Sequence, residues 1–180
     1  MNKTILIFSV IFLSASFAWS QADRIKGAII EDFGPTYRID NPEFTTNLSE
    51  TFNVVFDVSK APEDPAAVNK WIETVARYLN MHANAGKTIE TMPTVLVLHG
   101  NASYGLLKNE FYKEKFEVNN PNIALLEALD KAGVEIILCG QTSVHRNLTK
   151  EKRIPEAKIS LSAMTALIQL QNKGYKLINF

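Results

Sequence analysis

A continuous apolar run, TVLVLH at 94–99, and a second short segment that reads as a buried strand, VEIILC at 134–139, each run into a glycine (Gly100 and Gly140) and begin 40 residues apart. A strand with one wet face alternates polar and apolar residues. A run without polar gaps suits a strand covered on both faces, which is the condition of a parallel sheet between helical layers. The flanking segments agree with that reading. TFNVVFDVS at 51–59 is rich in β-branched and aromatic residues and predicts the first strand, with Pro62 and Pro65 breaking the chain behind it. From Ala66 to Ala85 the residues Val68, Ile72, Val75, Ala76 and Leu79 recur three and four apart, predicting an amphipathic helix with Gly86 at its C-terminal end.

Asn120-Pro121-Asn122 opens a second helix that carries Ile123, Leu125, Leu126 and Leu129, and Lys131-Ala132-Gly133 closes it. Behind Pro155, a short strand is expected at 157–160, a helix at 162–173 and a last strand at 175–180. Strand and helix therefore alternate, which predicts an α/β fold: a three-layer α/β/α sandwich with a mainly parallel sheet of about five strands. Residues 21–50 hold Gly27, Gly34, Pro35 and Pro42 among polar neighbours and predict an irregular N-terminal arm laid on a domain formed by 51–180.

The first 20 residues have a different character. One lysine, Lys3, precedes the apolar stretch ILIFSVIFLSASFA at 5–18, and Ala18-Trp19-Ser20 fits the small-x-small pattern that signal peptidase accepts. The run is shorter than the ~20 residues that span a bilayer. This predicts a cleavable signal peptide over 1–20, a periplasmic or secreted location and a mature chain without a membrane span. An uncleaved anchor is the alternative. No cysteine follows the run, so acyl attachment of the lipoprotein type has no acceptor.

Composition narrows the function classes. Nineteen Lys+Arg balance 19 Asp+Glu, which removes the electrostatic case for a nucleic-acid partner or an anionic membrane. A single cysteine excludes an internal disulfide framework and any four-thiolate metal site within one chain. His82, His99 and His145 show no metal-ligand spacing with Cys139, so no metal is expected. GNASYG at 100–105 has the gap of a phosphate loop, but Leu106-Leu107 stand where Lys and Ser/Thr are required, and the nucleotide reading fails. Phe111, Tyr112 and Phe116 either lid a site or pack one face of a helix.

The remaining chemistry centres on Cys139, at the end of a predicted buried strand. Ligands of open α/β sheets bind beyond the carboxyl ends of the strands. There, N–H groups of the following turn favour a thiolate, as do His145 or Arg146 if they fold back, and the thiolate is the nucleophilic form. The plainer reading is a packed thiol acting as a small hydrophobe. His99 ends the preceding apolar strand at the same sheet edge, where it would act as a base or anion-binding partner, or simply face solvent. Asp57 ends the first strand as a ligand-orienting or a turn residue.

VLVLHG at 95–100, Asn120-Pro121-Asn122, Ala132-Gly133-Val134-Glu135, Cys139-Gly140-Gln141, Leu161-Ser162-Ala163-Met164-Thr165 and Leu170-Gln171-Asn172-Lys173-Gly174-Tyr175, in this order, resemble the DsrE/DsrF-like family. The resemblance runs from about Phe52 to Phe180 and implies the three-layer fold and a homo-oligomer. Its cytoplasmic members carry sulfane sulfur as a persulfide on one cysteine, matched here by Cys139. It implies a sulfur carrier at most sulfurtransferase-like, with a sulfur donor or acceptor protein, or a small thiol, as partner. No organic cofactor is needed. His99, Gly100, Asn101, Asn120, Gly140, Gln141 and Thr142 are the expected substrate-binding positions. Two features set this chain apart: the exported start and the lack of a second, resolving cysteine. A non-catalytic ligand-binding or assembly module with a structural Cys139 stays open, as does redox sensing through intermolecular Cys139–Cys139 pairing.

Overall fold

The computed structural model describes residues 24–180, so the leader expected at 1–20 lies outside the described residues. The arm is less irregular than its glycines and prolines imply, because β1 (Arg24–Ile25) pairs antiparallel with β2 (Thr36–Tyr37). Behind it come β3 (Val54–Val58), α1 (Lys70–Asn84), β4 (Thr94–Leu98) and a 3-10 helix at Gly100–Leu106. The chain continues through α2 (Asn109–Phe116), α3 (Ile123–Lys131), β5 (Glu135–Cys139), α4 (Gly140–His145), β6 (Lys158–Ser160), α5 (Ala163–Asn172) and β7 (Lys176–Asn179). The last five strands form one sheet in the order β6-β5-β4-β3-β7, parallel at every pairing.

The pleat of the sheet explains the uninterrupted apolar run of β4. Phe56, Leu96, Leu98, Ile136 and Leu138 point to one face, where Ile72, Val75 and Leu79 of α1 and Leu125, Leu126 and Leu129 of α3 cover them. Val55, Val95, Val97 and Cys139 point to the other, beneath Ala163, Ala166 and Leu170 of α5. Every residue of β4 is buried, as both faces demand. At roughly 25 cal/mol per Å² of apolar surface removed from water, this double coverage is the main source of stability.

Local chemistry sets the helix limits. The periodic stripe beginning at Ala66 becomes helical only at Lys70, because the Asn69 side chain accepts hydrogen bonds from the N–H groups of Trp71 and Ile72 and caps the first turn. Asn122 precedes α3 without capping it; its Oδ1 accepts from the Asn69 N–H at 2.8 Å instead, tying the starts of the two helices together. Asn80, fully buried in α1, fastens the arm. Its Oδ1 accepts from the N–H groups of Ile29 and Ile30, and its Nδ2 donates to the carbonyls of Ile30, Phe33 and Gly34.

The chain leaves β5 through α4 toward the α1/α3 side, where Leu148 and Ile154 join the larger core, and leaves β6 through α5 toward the opposite side. The carboxyl ends of β5 and β6 are thus a topological switch point, the place where open α/β sheets leave a crevice.

Candidate functional site at the carboxyl edge of the sheet

Cys139 occupies that switch point as the last residue of β5, paired in register with Ser160 of β6. The chain turns directly from it into α4, and Gly140 makes the turn possible. A Cβ there would overlap the Ser160 carbonyl oxygen and stand 3.1 Å from that of Leu161. With no side chain at 140, the two strand ends close on each other and bring the starts of two helices to one sulfur atom.

Burial pushes the Cys139 thiol pKa up, but the Thr142 hydroxyl and the backbone N–H groups of Thr142, Ala163 and Gln141 outweigh it and hold the thiol below its ordinary value. Gln141 and Thr142 belong to the first turn of α4; Ala163 is the first residue of α5, which arrives from β6. The neutral thiol is a weak acceptor and makes no capping hydrogen bond of its own. The donors act on the anion. The residue is 6% exposed and packs with Val97, Ala163 and Ala166, so the sulfur is ionisable but narrowly reachable.

His99 follows β4 one step beyond the Leu98–Leu138 pair and therefore stands beside Cys139 along the sheet edge. No hydrogen bond joins the two. The His99 Nε2 is instead 2.9 Å from Asp57 Oδ1 of β3, so the ring is held by a carboxylate from the strand on its other side. Arg146 does not fold back on the sulfur either: its Nη2 donates to Asn101 Oδ1 at 2.8 Å and its guanidinium lies 4.6 Å from the Tyr104 ring centre.

The model of the DsrE/DsrF-like family matches residues 53–180. The chain belongs to that family. Among solved structures, this chain is similar to a protein of unknown function, MTH1491, from Methanobacterium thermoautotrophicum. The two share 15% identity over 72% of this chain and 99% of that one, with a TM-score of 0.55. At that identity the likeness concerns the α/β fold. No curated protein matches the sequence.

In this DsrE/DsrF-like chain the expected substrate-binding positions other than His99, which is held by Asp57, separate into three places. Gly140, Gln141 and Thr142 surround the sulfur. Gly100 and Asn101 line a different feature, an open cleft of about 850 Å³ over the ends of β3 and β4 whose walls include Ser59, Lys60, Pro62, Trp71 and Arg146. Gly100 adopts φ +53°, and a Cβ on it would meet the Ser59 carbonyl oxygen at 2.8 Å, so the loop after β4 lies directly on the loop after β3. None of the residues whose donors face Cys139 lines this cleft. Asn120 belongs to neither place. Its Nδ2 donates to the carbonyls of Gly105 and Leu107, and its Oδ1 accepts from the Asn122 backbone and side chain. A side chain so occupied braces the loops around it.

Two donors to the sulfur escape a reading of the sequence alone, the Ala163 amide and the Thr142 hydroxyl. The first lies 24 positions from Cys139 and is brought in by topology; the Ser162 side chain caps α5 through the Thr165 N–H, not the Ala163 N–H. Among the described residues no group of three or more His, Cys, Asp or Glu side chains is arranged to hold a metal ion, and no helix is long and apolar enough to cross a membrane.

Proposed function

We propose that this protein is an exported sulfane-sulfur carrier that holds one sulfur atom as a persulfide on Cys139. The observation that carries the reading is the convergence of three backbone N–H groups and one hydroxyl on the single thiol of the chain, at the switch point of its sheet. Such donors stabilise the Cys139 thiolate, the form that attacks in loading and departs in unloading.

In the loading step the Cys139 thiolate attacks the outer sulfur of a polysulfide or organic persulfide. The Sγ–S bond forms, the donor's own S–S bond breaks, and the electron pair of that bond leaves with the donor thiolate, which takes up a proton from water. Unloading is the reverse exchange: an acceptor thiolate attacks the outer sulfur and Cys139 departs as a thiolate. No net oxidation occurs, and the step requires no metal or organic cofactor. The narrow exposure of Cys139 favours a slim donor approaching end-on. Export rests on the 1–20 leader pattern. A homo-oligomer fits the family and three exposed apolar side chains on or just before α5, Leu161, Met164 and Ile168.

A second reading has one observation in its favour. Cys139 is buried beside Val97, Ala163 and Ala166, as a structural thiol in a binding or assembly module would be. Intact-mass spectrometry after incubation with polysulfide separates the two. The carrier gains the mass of one sulfur atom, loses it to an acceptor thiol, and gains nothing as Cys139→Ser. A folded protein that gains no sulfur, or gains it equally as Cys139→Ser, is not a carrier.

A further inference from the structure

The cleft over β3 and β4 has its own chemistry, independent of the thiol. Three cations line it, Lys60, Lys70 and Arg146, against one acid, Glu63. Among the described residues none of the three cations forms an ion pair, whereas Lys26, Arg38, Arg77 and Lys158 each do. In a chain of zero formal charge, unpaired cations gathered round one cavity create a local positive field. Low-dielectric walls focus that field inward.

The lining of the cleft is mixed. Ala61, Pro62, Ala67, Val68 and Trp71 supply apolar surface, and Ser59, Asn101 and Arg146 supply hydrogen-bonding groups. Trp71 is half-buried, with the Lys70 and Lys60 ammonium groups 4.7 and 5.9 Å from its ring centre. Arg146 is held in place by Asn101 and by the face of Tyr104, so its guanidinium is oriented before any ligand arrives. A volume of about 850 Å³ exceeds what an inorganic oxyanion fills and lies within the usual range of small-molecule sites.

We propose that this cleft binds a small organic oxyanion, a molecule with a planar or apolar body and a phosphate or sulfonate head. The body lies along Trp71 and Pro62; the head sits between Lys60 and Arg146. Glu63 opposes the charge and limits affinity for fully anionic ligands without a body.

Trp71 reports on the site directly, since Trp19 is the only other indole in the chain. In the Trp19→Phe protein, phenyl phosphate is expected to change Trp71 emission saturably, in the micromolar-to-millimolar range, and more weakly as salt rises. Inorganic phosphate and phenol, each with half of the recognised chemistry, bind at least about tenfold more weakly. Lys60→Gln and Arg146→Gln each weaken phenyl phosphate by about tenfold, the scale of one charge-assisted hydrogen bond. Glu63→Gln tightens it, a gain that misfolding would not produce. The proposal is overturned by any of three results: no saturable response, equal affinity for phenol or inorganic phosphate, or affinity unchanged in both cation variants. Cys139→Ser leaves this binding intact, so failure here and failure of persulfide loading are separate outcomes.

Discussion

At Cys139, burial and hydrogen bonding pull the thiol in opposite directions, and hydrogen bonding wins. The Thr142 hydroxyl is the one side-chain contributor, so Thr142→Val should move the titration of the thiol upward. A shift toward the ordinary value of 9.0, read from thiolate ultraviolet absorbance, is expected. The same asymmetry gives stability a pH dependence of known sign. A thiol whose pKa is lower folded than unfolded adds no stability below its folded pKa. It adds progressively more as pH rises toward the unfolded value, and its full contribution above that. The stability difference between wild type and Cys139→Ser, measured by urea denaturation, should therefore shift in favour of wild type between neutral pH and pH 9. A difference independent of pH would contradict it. Gly140→Ala is a third test at this scale. The new methyl meets the Ser160 and Leu161 carbonyls, and a loss of about 1–3 kcal/mol is expected in the same assay.

How much of the molecule was legible in the sequence depends on the element. β4 is plain because burial on both faces leaves an unbroken apolar run, β5 is plain from its apolar residues behind the exposed Glu135, and the paired register then puts His99 and Cys139 at one edge. The helix stripe of α1 was also plain, but not its start, since Asn69 capping is invisible to periodicity. α4 was invisible for a similar reason: a six-residue helix has no stripe to read. Asn120 reads as a substrate-binding position in the sequence, where a loop asparagine that contacts a ligand and one that braces loops look alike; its bonds to the Gly105 and Leu107 carbonyls come only from the fold. His99 and Asp57 were singled out separately; their pairing depends on β3 lying beside β4. Asn80 carried no signal, yet it holds five backbone groups of the arm. Asn80→Ala strands those buried groups, and a loss of about 3 kcal/mol is expected. Limited proteolysis should then cut the arm within 24–50 before the sheet domain, whereas uniform cleavage would show that the arm is held elsewhere.

Over the whole molecule, the layers are unequal. α1, α2, α3 and the 3-10 segment contribute to the core on one face of the sheet, while α5 lies across the other, with Met164 and Ile168 turned to solvent and Leu161 just before it, 72%, 58% and 72% exposed. If this face joins copies of the chain, Met164→Glu should lower the mass seen by light scattering without changing the denaturation midpoint. An unchanged mass would place the contact elsewhere. The cleft at β3 and β4 and the thiol at β5 and β6 share the carboxyl edge of one sheet yet use separate residues, so ligand binding and sulfur chemistry are separable by mutation. The central claim is that the sulfur of the folded protein ionises more readily than an ordinary thiol and can be reached. Iodoacetamide labelling of the native protein across pH tests it most directly: the account predicts modification at Cys139 with a midpoint below that of an ordinary cysteine. A thiol that labels only after unfolding, or with an unshifted midpoint, would contradict it.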